Sequence, residues 1–167
     1  MQLDYQVRLA GEADVPALRL LVNAAYRQLA DMGLNFTGTY QDEQVTRRRM
    51  EGREVYLFCI EQELVGTISL HIEQQSERQV LYITQFAVAP TQQRQGIGAR
   101  LLQLAERRAE ELGLAALQLD TAAPAVHLVG MYRKAGYQVI REVQWEGKTY
   151  KSYIMEKQLT SIAGQPA

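Results

Sequence analysis

Apolar and polar residues first alternate from Tyr5 to Leu9, which predicts a short strand. Val15, Leu18, Val22, Ala25 and Leu29 then recur at helical spacing, with Pro16 tolerated in the first turn. Asp31 to Tyr40 contains two glycines and an asparagine, breaks the periodicity and reads as a loop. Gln41 to Met50 predicts a short polar helix carrying Arg47, Arg48 and Arg49. The β-rich runs Glu54 to Ile60 and Leu64 to Ile72, joined by Glu61-Gln62-Glu63, predict a hairpin, and Val80 to Val88 a third strand ended by Pro90. Ile97, Leu101, Leu104, Ala105 and Leu112 share one face of a helix over Gln95 to Leu112, closed by Gly113. Leu114 to Leu119 reads as a strand and His127 to Ala135 as a helix closed by Gly136. Tyr137 to Val143 and Thr149 to Lys157 read as the last strands. Central hairpins exclude a purely parallel wound sheet, while the passage from Gln95 to Ala135 demands some parallel pairing. A mixed α/β sheet is expected.

Composition narrows the partners more than the fold. A length of 167 residues fits one domain, and 47% apolar with 22% charged residues excludes a disordered chain. Lys plus Arg (18) nearly balances Asp plus Glu (19), so no nucleic-acid partner is expected. The single cysteine, Cys59, excludes an internal disulfide and any multi-cysteine metal site, and it reads as a core residue. No apolar run approaches a membrane span, and Met1 to Tyr5 shows no leader, so a cytoplasmic chain without a membrane partner is expected. Residues 1–159 are expected to form the domain and residues 160–167 a flexible tail.

Candidate chemistry concentrates in Gln85 to Leu102, QFAVAPTQQRQGIGARLL. A strand ends at Pro90, a polar loop follows, and Gly96 and Gly98 precede a helix. A helix N-terminus leaves N–H groups unpaired and concentrates about half a positive charge. Glycines let a phosphate approach that backbone, and Arg94 adds a charged donor. No Lys follows Gly98, so a nucleotide-triphosphate loop is disfavoured. Leu101 stands where a dinucleotide fingerprint needs its third glycine. By themselves, the two glycines serve equally as a tightly packed strand-to-helix turn.

Gln93-Arg94-Gln95-Gly96-Ile97-Gly98 resembles the Q/R-x-x-G-x-G/A signature of the GNAT superfamily of acetyl-CoA-dependent N-acetyltransferases. Phe86-Ala87-Val88 before it and Met131-Tyr132-Arg133-Lys134-Ala135-Gly136-Tyr137 after it extend the resemblance. The fold it implies is a single-domain mixed, mostly antiparallel twisted sheet of about seven strands flanked by about four helices. It implies an acetyl-CoA pyrophosphate held by the loop of Gln93, Arg94, Gln95, Gly96, Ile97, Gly98 and Ala99. The pantetheine arm would pair with the strand of Phe86, Ala87 and Val88, with the Val88 N–H at the thioester oxygen. Tyr132 would protonate the leaving thiolate, and no metal is required. The family often has an Asn seven residues before that tyrosine, where this chain has Ala125, so that contact is expected to be absent or replaced, with His127 a candidate.

The expected acceptor is a primary amine of a small molecule or peptide, attacked directly in a ternary complex because no activated nucleophile is visible. Tyr26, Phe36 and Tyr40 are candidate acceptor walls. Candidate proton acceptors are His71, Glu73 and Asp120, with His71 also a weak acceptor contact. Arg47 to Arg49 with Arg53 read as a solvated helix face, the alternative being a contact to an anionic substrate or to the 3′-phosphate of CoA, for which Arg94 and Arg100 are the better candidates. Tyr137, Trp145, Tyr150 and Tyr153 are a candidate homodimer surface. The alternative function is a non-catalytic acyl-CoA-binding domain on the same fold.

Overall fold

Seven strands form one sheet in the order β1-β2-β3-β4-β5-β7-β6 in a computed structural model that describes residues 4–159. The expected tail, 160–167, lies outside the described residues. The strands are β1 (Tyr5–Leu9), β2 (Glu54–Ile60), β3 (Glu63–Gln75), β4 (Arg78–Val88), β5 (Ala116–Ala122), β6 (Gln138–Val143) and β7 (Ser152–Gln158). The helices are α1 (Val15–Asp31), α2 (Thr37–Tyr40), α3 (Glu43–Met50), α4 (Ile97–Glu111) and α5 (Val126–Lys134). Every neighbouring pair is antiparallel except β4 with β5, so the sheet is the mixed, mostly antiparallel one expected.

Both faces of the sheet are covered, and this follows from strand alternation. Phe58, Ile68, Leu70, Leu81, Ile83, Leu117 and Leu119 point to one face and bury Ile97, Leu101 and Ala105 of α4 with Val129 and Tyr132 of α5. Val55, Leu57, Cys59 and Ala87 point to the other face, where Leu18 and Val22 of α1 pack. Cys59 is a core residue, as expected. A third cluster joins Leu29 and Leu34 to Ala122, Ala125 and Tyr150, tying the end of α1 to β5 and the approach to β7.

Local chemistry sets the boundaries. Ile60 pairs with Glu63, so Glu61 and Gln62 alone make the β2–β3 turn, both at positive φ (49° and 71°). That is the backbone of a two-residue hairpin of the favoured hand, built without the usual Asn-Gly. Asp42 caps α3 by accepting the Val45 N–H at 2.8 Å. The segment read as a loop over Asp31 to Tyr40 contains the single turn α2, too short to show a helical period. Its Gly38 lies against Tyr26 and Val22 so closely that a Cβ would meet their side chains at 2.9 Å.

Two expectations are corrected here. Tyr137 and Tyr150 are buried in the chain's own core (1% and 7% exposed), so they do not form a surface for a second copy. The Arg47–Arg49 stretch is not uniformly solvated. Arg47 pairs outward with Glu12, whereas Arg49 turns inward and donates to the side chain of Gln41 at 2.6 Å and to the Thr84 carbonyl at 3.0 Å.

Candidate active site

The site originates in a mismatch between two parallel strands. β4 and β5 pair only over Leu81–Ile83 with Leu117–Leu119, yet β4 continues to Val88 and β5 to Ala122. Beyond the paired stretch the strands separate. The divergence begins at a bulge: Ser69 faces Gln85 while Leu70 faces Ile83, which leaves Thr84 as an extra residue on β4. Arg49 holds the displaced Thr84 carbonyl. Burial pushes the Arg49 guanidinium below its ordinary value, against the charges of Tyr26 and Asp120.

The separated edge of β4 is a row of backbone groups without a strand partner. The Ala89 N–H donates to the Val65 carbonyl at 2.8 Å. Alternation along an antiparallel ladder then turns Ala87 toward β3 and turns Phe86 and Val88 toward the gap. The Tyr26 hydroxyl occupies the Phe86 carbonyl at 2.9 Å, and Gln93 Nε2 approaches the Val88 carbonyl at 3.4 Å. The Phe86 and Val88 N–H groups therefore face the gap.

A cavity of about 420 Å³ fills this gap. Phe86, Ala87 and Val88 of β4 form one wall, and Asp120 and Thr121 of β5 another. Tyr26 and Phe36 close one side. Gln93, Arg94, Ile97 and Gly98 close the loop end, and His127 and Tyr132 line it from α5. Thr121 of this wall is 1% exposed, and its Oγ1 has no hydrogen-bond partner among the described residues.

The loop end suits an anion. Gly96 caps α4 at φ 82°, a left-handed conformation suited to glycine, and no side chain caps the helix. Arg94 also adopts positive φ (68°), a strained position for a side-chain-bearing residue. A Cβ on Gly98 would lie 3.3 Å from Phe86 Cζ, so glycine is what lets the helix start against the strand. Open helix N–H groups beside Arg94, joined to a free strand edge, fit a pyrophosphate with an extended arm behind it.

Tyr132 is 8% exposed, with ring centroids 6.3 Å from Phe86 and 6.0 Å from Tyr137. Burial holds its hydroxyl well above the ordinary phenol value, so it stays protonated. At the other end, Asp120 Oδ1 accepts from the Tyr82 hydroxyl and Oδ2 from the Trp145 indole N–H, both at 3.1 Å. Partial desolvation raises the Asp120 carboxyl above the ordinary carboxylate range, opposed by those hydrogen bonds and by the charge of Arg49. The residue is exposed, so solvent limits that rise.

Not every expected residue reaches this cavity. Gln95, Gly96 and Ala99 lie in the loop and first turn of α4 without lining the wall, and Tyr40 stands outside it, 61% exposed. His71 pairs across the sheet with Tyr82 and is separate from the wall, with its pKa lowered by burial. Arg100 stacks on Tyr5 at 4.5 Å in a separate groove between β1 and α4. Ala125, at the position of the missing asparagine, is fully buried at the start of α5. Trp145, read as part of a dimer surface, donates to Asp120, and Arg49, read as a solvated face or an anion contact, holds the Thr84 carbonyl. The one available signal was the spacing of Arg49 from buried Thr46, which places both on one side of α3.

Residues 19–137 match the acetyltransferase (GNAT) family. The chain belongs to that family. It is similar to the S-alkylcysteine N-acetyltransferase of Bacillus subtilis (strain 168), 28% identical over 96% of both chains. It is also similar to the S-(2-succino)cysteine N-acetyltransferase of that organism, 29% identical over 91% of this chain and 94% of the relative. Among solved structures it shares its fold with the PaiA N-acetyltransferase of Thermoplasma acidophilum in complex with coenzyme A. That match has a TM-score of 0.69 and 17% identity, and covers 94% of this chain and all of the other. This acyltransferase is thus an enzyme, not a purely binding domain on the same fold. No helix among the described residues is long and apolar enough to cross a membrane.

Proposed function

We propose that the enzyme transfers an acetyl group from acetyl-CoA to the primary amine of a small molecule, by direct attack with both substrates bound. Cysteine S-conjugates are the first acceptors to test, because the curated relatives act on them. The observation that carries this reading is the convergence on one cavity of an open helix N-terminus, a free strand edge, a buried tyrosine and a carboxylate without an ionic partner among the described residues.

Each residue then has a task. The loop from Gln93 to Ala99 and the Arg94 side chain hold the pyrophosphate. The edge of β4 at Phe86 and Val88 pairs with the pantetheine arm. The Val88 N–H donates to the thioester oxygen as that oxygen gains charge during attack. Asp120 receives the ammonium and takes its proton, either directly or through one water. Tyr132 gives its proton to the departing thiolate, as a phenol kept neutral by burial can do. Tyr26 and Phe36 wall the acceptor, and holding amine and thioester together supplies much of the acceleration.

The test is thiol release from acetyl-CoA over a panel of amines that includes S-alkylcysteines. Tyr132→Phe should lower kcat by about 10²–10⁴ with CoA affinity nearly unchanged. Wild-type protein that binds acetyl-CoA but acetylates no amine in the panel would overturn the proposal.

A further inference from the structure

The carbonyls of Thr84 and Phe86 stand two residues apart on β4, and a side chain from the helical layer meets each of them. Tyr26 of α1 donates to the Phe86 carbonyl at 2.9 Å, and Arg49 of α3 donates to the Thr84 carbonyl at 3.0 Å. Thr84 is the extra residue of the bulge at which the edge of β4 departs from β5. The register of β5 places Asp120 beside it. Ile83 faces Leu119 in the last pair before the strands separate, so Thr84 and Asp120 come next. Arg49 therefore stands where the strand edge and the carboxylate meet.

The guanidinium is held in this direction by buried partners. Arg49 also donates to Gln41 Oε1 at 2.6 Å, and Gln41 is 1% exposed, with its own Nε2 bonded to Thr46 Oγ1 at 3.0 Å. The Thr46 hydroxyl donates to the Asp42 carbonyl at 2.7 Å. Asn23 Nδ2 of α1 donates to the Gly38 and Gln41 carbonyls at 3.0 and 3.2 Å. This chain of bonds fixes α3 against α1 and leaves one donor directed at the bulge.

A neutral donor would hold a carbonyl equally well. Arg49 instead brings a half-buried cation, and no carboxylate among the described residues pairs with it. The ion pairs there use Arg8, Arg47, Arg78, Arg108 and Lys157. Withdrawing a charge from water without a counterion costs free energy, so holding the bulge does not account for the charge. What a charge adds is a field, and the carboxylate next in register is Asp120, which also stands outside those ion pairs. The charge of Arg49 opposes the upward shift of the Asp120 carboxyl. We infer that Arg49 is a positioning residue for acetyl transfer: through Thr84 it fixes the edge of β4 that receives the cofactor arm, and through its charge it favours the carboxylate form of Asp120. This rests on the acetyl-transfer reading of the cavity and deepens it with a residue that lies outside the cavity wall.

Three variants separate the two effects. Arg49→Met removes both, so the CoA dissociation constant should rise about tenfold, the range of a hydrogen bond from a charged donor, and Asp120 should titrate at higher pH. Arg49→Lys keeps the charge with a shorter reach. It should hold the Asp120 titration near that of wild type while losing part of the CoA affinity. Gln41→Glu keeps the acceptor for Arg49 and adds a counter-charge, so CoA affinity should stay within about twofold while Asp120 titrates at higher pH.

Calorimetric titration reads CoA affinity. The isotope-labelled Asp120 carboxyl resonance, followed against pH, reads its protonation, with the acidic limb of kcat/KM as a second measure. Tyr26, Tyr82, Tyr132 and Tyr150 around Asp120, and Tyr40 near Arg49, are phenols that stay neutral through the acid range, with Arg53 and Arg141 as further cations. His71 and Glu73, near Tyr82, are told apart by the assignment of the resonance. An Asp120 titration that ignores Arg49→Met or Gln41→Glu, or that moves as far in Arg49→Lys as in Arg49→Met, would overturn the inference. So would unchanged CoA affinity in Arg49→Met. If Arg49→Met does not fold, the other two decide by a crossed pattern: affinity falls only in Arg49→Lys, and the titration moves only in Gln41→Glu. Neither the CoA titration nor the resonance depends on turnover. Absence of acetylation across the amine panel would therefore sink the transfer reading and leave both results on Arg49 to be read on their own.

Discussion

The Tyr26 hydroxyl donates a 2.9 Å hydrogen bond to the main-chain carbonyl of Phe86, 60 residues further along the chain. This bond satisfies one backbone acceptor on the separated edge of β4 and ties α1 to the strand proposed to pair with the cofactor arm. It also fixes the Tyr26 ring as a cavity wall, packed 5.6 Å from Phe36, which in turn stacks 5.1 Å from Tyr150.

Removing that hydroxyl leaves a carbonyl without its partner and frees the strand edge to move. Tyr26→Phe is expected to weaken CoA binding by about three- to tenfold, the range of one net hydrogen bond. Calorimetric titration of CoA measures this. An unchanged dissociation constant would show that β4 holds its course without α1.

Asp120 carries the proposed proton-acceptor role and must be ionised to perform it. Its pKa is raised by partial desolvation, so activity should be full above that raised value and fall as pH drops through it. The Trp145 hydrogen bond favours the carboxylate, and Trp145→Phe keeps an aromatic ring while deleting the donor. The acidic limb of the kcat/KM profile should then move to higher pH. Asp120→Asn should abolish the limb and most of the activity. Charged or titratable neighbours of the carboxylate include Tyr82 of β4 and Arg49 of α3, with the Tyr26, Tyr132 and Tyr150 hydroxyls affected by its charge. A limb that ignores Trp145→Phe would separate the indole from the proton acceptor.

The contact of α2 with α1 leaves no room at Gly38, where an added Cβ would stand 2.9 Å from the Tyr26 ring and from Val22 Cγ1. Gly38→Ala should therefore destabilise the fold by about 1–3 kcal/mol through overpacking. It should also weaken CoA binding, because the displaced ring is the one holding Phe86. Urea unfolding, together with the same titration, tests both effects.

Glu61 and Gln62 hold a two-residue turn at positive φ that side chains adopt reluctantly. Glu61→Asn with Gln62→Gly supplies the residues such a turn prefers. A gain of about 1 kcal/mol is expected, or roughly 2–4 °C in Tm for a domain of this size. The turn is remote from the cavity, so kcat should not change. A lower Tm would mean that these side chains contribute interactions beyond the turn.

The family and the strand–helix order were legible because both are local. Alternation named the strands, helical spacing named α1, α4 and α5, and Gln93 to Gly98 carried a motif within a few residues. The acceptor end was far less legible. Arg49 belonged to a run of three arginines that looks uniformly solvated, and its inward turn depends on a bulge carbonyl contributed by β4. Trp145 lay in a turn with no periodic signal, and its partner Asp120 is 25 residues earlier.

The sequence by itself determined the element order, the glycine loop before α4 and the tyrosine on α5. Each depends on backbone propensities and neighbours within one or two turns. Tertiary structure decided where β4 and β5 part, which backbone groups are left facing the gap, and which charges lack a partner beside it. Those features arise from contacts between segments far apart in the chain, some more than 100 residues, such as Asn35 with Gly147 and Thr149. No local pattern records whether a charged side chain finds its counterion, because that depends on what the rest of the fold brings to it.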